Sequence, residues 1–350
     1  MKSTKWIKIF FGLSLFVVLF VGGVNYIVDP SQIFNKQKEY YIGSNNIYYI
    51  KLDYLFDNHK KYNSYMMGSS RVGTTNPEVI NKYIQDSKFY NMWLSGANIS
   101  DNLNHLKYLL HIGAKIDNLY LQLDVTNLNN IKPNENTHPY VINENNKTYL
   151  ISRLLNTDIK SIYTRLNEKN DLGFHRVNIQ NGVFNYINRD ILIKENHLKY
   201  VIEEKRFKEN INRNLKFITK EDFVKKLKKI NKIADENNIN LILFVTPHHH
   251  KMMDSFEIES YLDFIKTISE QNCFYNFSGY NTVTKNDYNY YEDSHYLAYV
   301  GELVAAKIFN DKSVEVPEDF GVLVTKNNIN EHLENLRKQI KEYDLNKILK

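Results

Sequence analysis

The chain has a single cysteine, Cys273, in 350 residues. That excludes an internal disulfide framework and any multi-cysteine zinc or iron–sulfur centre. Exported bacterial domains large enough for a proper core often lack disulfides, so the scarcity does not argue against export. A strong excess of charge of one sign is also missing. The net charge is +5 and the pI near 8.8, and with no clustered basic patch this leaves no footprint for nucleic acid. Glycine is scarce, 13 residues against 26 tyrosines, in a chain crowded with Asn, Lys and Ile. We read that bias as AT-rich bacterial coding sequence. The 43% hydrophobic and 24% charged residues are ordinary globular proportions, which excludes wholesale disorder and a multi-span membrane protein. The length suffices for one large α/β domain or two modest ones, with a core that needs no staples.

Long apolar runs are absent too, except for one. Lys2, Lys5 and Lys8 precede residues 9–28, IFFGLSLFVVLFVGGVNYIV. At 1.5 Å per residue, about 20 residues span the roughly 30 Å hydrocarbon core. The basic flank predicts a single-pass anchor in the cell membrane, with a cytoplasmic N-terminus and an extracytoplasmic main domain. A cleaved signal peptide is the rival reading, but no A-x-A site follows and the run is long for an apolar core of that kind. The expected organisation is an anchor over 1–28, a juxtamembrane connector over 29–60, a main domain over 61–310 and a C-terminal helical tail over 311–350.

Within 61–310, short apolar runs alternate with helical patterns. Strands are expected at 62–67, 88–92, 118–125, 241–245 and 273–277, and helices at 76–83, 101–112, 220–237 and 260–270. This rhythm predicts a parallel sheet with helices on both faces, a three-layer α/β/α domain whose ligands bind at the carboxyl ends of the strands. Residues 126–219 lack the rhythm and read as a large insertion or cap, whose tyrosines are a candidate sugar-facing surface. In the tail, Leu333, Leu336, Ile340 and Tyr343 form one helical stripe that docks on the body or on a partner helix.

Two short segments carry candidate chemistry. Gly68-Ser69-Ser70-Arg71-Val72-Gly73-Thr74-Thr75 follows the first strand. It fails as a phosphate-binding loop because Thr74 stands where a lysine is required, and as a nucleophile elbow because Val72 stands where glycine is required. What remains is Ser70 at a strand mouth and the expected start of a helix, where backbone N–H groups suit a developing oxyanion. The bland alternative is that Ser69 and Ser70 only satisfy turn and cap hydrogen bonds. The second segment is Tyr291-Glu292-Asp293-Ser294-His295-Tyr296. There an acid two or three residues before a histidine can orient the imidazole while the other ring nitrogen faces a serine. Arg71 is placed either to bind an anionic substrate or to pair with Asp124. His248 and His249, in a run with His250 at the end of the fourth strand, are candidate substrate contacts or solvated loop residues. Three consecutive histidines do not all point one way, so no metal site is expected.

Ser70 in Gly-x-Ser, Gly96 after the second strand and the late acid-x-x-His resemble blocks of the SGNH (GDSL-like) hydrolase superfamily. The anchor, MGSSR, FYNMWLSGANISD, LQLDVTN and YYEDSHY resemble its membrane-anchored bacterial branch, which includes lipoteichoic-acid D-alanylation and alginate or capsule O-acetylation proteins. The resemblance covers roughly residues 60–310. It implies a flavodoxin-like sheet, Ser70 as nucleophile, His295 as general base and Glu292 or Asp293 as the acid. It further implies oxyanion donors at the Ser70 and Gly96 N–H groups and at Asn127, although the glycine that precedes the family's asparagine is absent here. No cofactor is implied. The implied activity is a serine O-acetyltransferase or acetylesterase acting on a cell-envelope polysaccharide. An acyl donor serves as second substrate, and a polytopic membrane acyltransferase is the implied partner. The alternative is a catalytically silent glycan-binding or assembly subunit. Direct contact between Ser70 and His295 favours an enzyme, whereas a gap beyond about 8 Å favours binding.

Overall fold

The computed structural model describes residues 2–35, 39–42, 47–132, 146–167, 175–209 and 212–348. The apolar run lies in a helix, α1 (Lys2–Val28), with Phe16 and Phe20 among its many exposed side chains. By length and composition α1 can cross a membrane. It ends where Asp29, at φ +47°, turns the chain and accepts backbone N–H groups from Ile33, Phe34 and Asn35.

The body is built on a six-stranded sheet formed by β2 (Ser64–Met67), β3 (Phe89–Asn91), β4 (Asn118–Leu123), β7 (Asn240–Val245), β8 (Phe274–Asn276) and β9 (Val322–Val324). Their spatial order is β3-β2-β4-β7-β8-β9, parallel throughout except for the antiparallel edge strand β9. From β2 the chain goes outward to β3 and then returns to the other side for β4. The order therefore reverses between β2 and β4, which opens a crevice at their carboxyl ends.

Alternating strand residues serve the two faces. Tyr65, Met67, Leu119, Leu121, Leu123, Leu243 and Val245 enter one core, and Met66, Tyr120 and Phe244 the other. The first core is covered by α2 (Ile47–Asn58), α4 (Ile99–His111), α8 (Lys220–Glu236), α10 (Ile258–Gln271) and α12 (Ile329–Ile348). The second is covered by the short α3 (Glu78–Asn81) and by α11 (Ala298–Ile308). Helix α4 starts sharply because Asn98 and Asp101 form a reciprocal capping box.

The sequence reading misses a second, three-stranded antiparallel sheet. It joins β1 (Glu39–Ile42) from the connector to β5 (His175–Asn178) and β6 (Phe184–Tyr186) from the insertion. The insertion also carries α5 (Asn146–Leu154), α6 (Ile159–Asn167) and α7 (Ile187–Glu203), and a further turn, α9 (His250–Met253), follows β7. At least fourteen of the 26 tyrosines are buried; among the described tyrosines of the insertion, Tyr186 and Tyr200 are buried, Tyr149 is half-buried and Tyr163 is exposed.

The 311–350 segment is more than a helical tail, because it supplies strand β9. In α12, Leu333, Leu336 and Ile340 are buried in the main core and Tyr343 packs against it. Leu336→Ala is expected to lower the unfolding free energy by about 2–5 kcal/mol, the cost of an unfilled core site, in urea titration of the full chain. A change within about 0.5 kcal/mol, as at surface sites, would mean that the stripe serves a partner instead.

Candidate active site

The site lies at the carboxyl ends of β2 and β4. Gly68 ends β2 at φ +154°, and a Cβ there would sit 2.3 Å from Gln122 Oε1, so only glycine admits this close approach. Gln122 Oε1 accepts the Ser69 N–H at 3.0 Å. The chain then makes a 3₁₀ turn over Ser70–Val72. This corrects the expected helix start: α3 begins only at Glu78 and has four residues, so no long helix dipole points at Ser70.

Ser70 and His295 meet. Ser70 Oγ lies 2.7 Å from His295 Nε2, and both residues are partly exposed. On the other side of the ring, His295 Nδ1 is hydrogen-bonded to Glu292 Oε1. The second carboxylate oxygen of Glu292 accepts the Ser294 N–H at 3.0 Å and Arg206 Nη1 at 2.9 Å. Burial raises the pKa of Glu292, but the charge and hydrogen bond of His295, a hydrogen bond from Asp293 and the Arg206 charge override it and hold the carboxyl well below its usual range. The structure thus brings Glu292, not Asp293, to the histidine. Asp293 faces Arg206 at 3.7 Å, and burial together with the adjacent Glu292 raises its pKa.

Gly96 sits at φ +62° in the loop after β3, with open space where a Cβ would stand. That loop is held from α2, where Tyr48 Oη donates to Ser95 O at 2.6 Å. The wholly buried Lys51 donates from Nζ to Asn91 O at 2.8 Å and Trp93 O at 3.0 Å. Among the described residues, neither the Ser70 N–H nor the Gly96 N–H has a hydrogen-bond partner, which leaves both as candidate oxyanion donors. Asn127 is different. Its Oδ1 accepts the Ile99 N–H at 2.6 Å and its Nδ2 donates to Asp124 O at 2.6 Å, so both ends of its buried amide brace backbone.

Arg71 is an internal strut rather than a surface anion binder. It is 6% exposed, with Nη1 on Asp124 Oδ2 at 2.6 Å and Nη2 on Ser294 Oγ at 2.7 Å. Asp124 also accepts Ser69 Oγ–H at 2.7 Å, and His248 Nε2 lies 3.4 Å from its other oxygen. Burial would raise the Asp124 pKa; the Arg71 charge, with His248 and Ser69, outweighs it and keeps the carboxyl well below its usual value.

His248 and His249 are fully buried and offer no face to a substrate, nor are they the solvated alternative. His248 turns to Asp124, whereas His249 and His250 do converge, with Nε2 atoms 2.9 and 3.1 Å from Asp287 Oδ1. These three donor atoms lie within 4.8 Å of one another. His249 Nδ1, however, accepts the Lys251 N–H at 3.2 Å, so its proton sits on Nε2 and points at Asp287. That proton occupies the lone pair a metal would need. Burial lowers the His249 pKa to about 4, which keeps the ring neutral.

The sequence reading passes over Arg206, Lys51, Phe184 and Tyr186. The Tyr186 and Phe184 rings stand 5.6 and 6.5 Å from the His295 ring, edge-on. Alternation in a three-residue strand gives no usable signal for these aromatics. Nothing local marks Arg206 or Lys51 among 45 basic residues.

Arg71→Met is expected to cost about 3–5 kcal/mol at neutral pH, because it strands a buried carboxylate. The Asp124 pKa is depressed in the folded protein. Its contribution is therefore present above the unfolded value near 3.8 and declines as pH falls further. The unfolded state is common to both proteins, and burial without the Arg71 charge raises the Asp124 pKa in the variant, so the gap between wild type and Arg71→Met should narrow as acidification protonates Asp124 in the variant, beginning above about pH 4. Urea titrations at several pH values read this, and a gap independent of pH would refute the ion-pair account.

A scan of protein-family models and a search of curated proteins each gave no match to this chain.

Proposed function

We propose that the chain is a membrane-anchored serine acyl-transfer enzyme of SGNH type, working on a cell-envelope polysaccharide outside the cytoplasm. The observation that carries this reading is the Ser70–His295–Glu292 relay, with its 2.7 Å contact between Ser70 Oγ and His295 Nε2. The five parallel strands add support: numbered along the chain, their order is 2-1-3-4-5, as in flavodoxin-like sheets, with Ser70 at the switch point. A serine and histidine more than about 8 Å apart would favour the rival reading of a silent binding subunit, and the 2.7 Å contact favours the enzyme.

Ser70 Oγ attacks the acyl carbonyl as its proton passes to His295 Nε2. Glu292, ionised and hydrogen-bonded to Nδ1, fixes the tautomer and stabilises the imidazolium. The tetrahedral oxyanion is received by the Ser70 and Gly96 N–H groups. His295 then returns the proton to the departing alkoxide, leaving an acyl-serine. A sugar hydroxyl or water, deprotonated by His295, attacks this ester, and as the bond to Ser70 breaks His295 gives the proton back to Ser70 Oγ. An acetyl group suits the implied O-acetyltransferase or acetylesterase. Asn127 gives one Nδ2 hydrogen to Asp124 O, and the scheme needs only the two backbone donors.

A fluorophosphonate probe should label the wild-type chain and spare Ser70→Ala, and equal labelling of both would remove Ser70 as nucleophile. Hydrolysis of an acetylated model ester should fall about 10⁴-fold in kcat in Glu292→Gln, the scale set by loss of an orienting acid. Asp293→Asn should fall far less. The reverse ranking would make Asp293 the acid.

A further inference from the structure

Helices α5 and α6, together with the segment between them, present an apolar face to the outside. Ile151 and Leu155 are 56% and 39% exposed, and Ile159, Tyr163 and Leu166 are 78%, 67% and 68% exposed. The last three follow i, i+4, i+7 spacing, so they line one side of α6. Lys147, Arg153, Lys160 and Arg165 are distributed along the same pair of helices. An exposed apolar side bordered by basic residues has the composition of a helix that lies in a lipid interface.

Position supplies the second argument. Asn25 of α1 donates from Nδ2 to Leu154 O at 2.8 Å and Asn156 O at 2.6 Å. Gly22 faces Leu154 and Leu155, with a Cβ site 3.5 and 3.9 Å from their side chains, and α6 also abuts α1. Gly22 and Asn25 precede the end of α1 at Val28 by six and three residues. At 1.5 Å per residue they lie about 9 and 5 Å inside the body-proximal end of the spanning run. Interfacial helices seat their apolar faces about 5–10 Å into the boundary between headgroups and acyl chains. The depth of the α1 contacts therefore matches the depth at which such a helix lies.

We propose that α5 and α6 form a lipid-contacting shelf, with Ile151, Leu155, Ile159, Tyr163 and Leu166 inserted into the leaflet on the side of the main domain. This rests on α1 spanning the membrane. The shelf is tied to the body as well, because Tyr149 of α5 stacks on Tyr49 of α2 with ring centroids 4.6 Å apart. The body is thereby held at a fixed height and tilt over the lipid instead of swinging on a single helix.

The test uses the full chain in a Cys273→Ser background, reconstituted into vesicles of mixed phosphatidylcholine and phosphatidylglycerol. Single cysteines at Phe16, Ile159, Tyr163, Leu166 and, as an aqueous control, Lys226 carry an environment-sensitive fluorophore. Labels at 159, 163 and 166 should be quenched by nitroxide lipids several-fold more than the label at 226, and protected from iodide. If they respond like the label at 226 while the label at 16 is quenched by lipid, the shelf is overturned, and the face belongs to a protein partner absent from the vesicles. If the label at 16 is itself reached by iodide, the spanning assignment of α1 fails, and the shelf with it. Should one substitution disturb folding, the other two positions on the same side of α6 give the same readout.

Discussion

The buried carboxylate of Asp124 is the point on which the geometry of the site depends. A bare carboxylate at 1% exposure would be untenable, so it must gather donors. It does so from separate strand ends: Ser69 and Arg71 after β2, and His248 after β7. Arg71 extends the reach by holding Ser294 with its second nitrogen, which draws in the loop that bears Glu292 and His295. One charge at the end of β4 thus places the Ser70 turn and the His295 loop against each other. The 2.7 Å Ser70–His295 contact is a consequence of this arrangement as much as of either segment alone.

A second line of positioning runs from α1. Asn25 holds α5, Tyr149 stacks on Tyr49, and α2 carries Tyr48 and Lys51 to the loop of Gly96. Burial lowers the pKa of Lys51 well below its usual value. That does not undo its role, since a neutral amine still has two N–H groups for the two carbonyls it meets. The Trp93 ring, 4.4 Å from Nζ, stabilises the charged form when it occurs. The connector is therefore structural support for a candidate oxyanion loop rather than a passive leash, and the second sheet, which β1 joins to the insertion, reinforces it.

The parts legible in the sequence were those encoded by local pattern. The parallel strands near 62–67, 88–92, 118–125, 241–245 and 273–277 are β2, β3, β4, β7 and β8, with β7 one residue longer than expected and each of the others two residues shorter; they were legible because fully buried strands read as short apolar runs. Ser70 and His295 were legible because each sits in a short polar block between such runs. The choice between Glu292 and Asp293 was not, since two adjacent carboxylates look alike in sequence and only the folded loop turns Glu292 to His295 and leaves Asp293 facing Arg206. The fate of His248 and His249 was equally hidden: a polar loop sequence suggests solvation, and only the packing of Phe207 and Tyr290 against His249 explains its burial. The edge strand β9 is three residues long and antiparallel, too brief for alternation to show.

The surroundings of Glu292 show how the insertion reaches a site otherwise framed by the α/β core. In the proposed scheme Glu292 must stay ionised while His295 gains and loses a proton, or it ceases to orient the ring. Buried at 2% exposure, it would by itself drift toward the neutral acid. Arg206, supplied by the insertion and half-exposed, counters that drift from the side away from His295. Asp293, beside it with a raised pKa, is the carboxyl that takes a proton first as pH falls. The site thus pairs one carboxyl held ionised with one poised to neutralise, and separates their roles by partners rather than by sequence position. With Phe184 and Tyr186 from the same insertion standing against His295, the segment that lacked the strand–helix rhythm is the one that completes the environment of that ring.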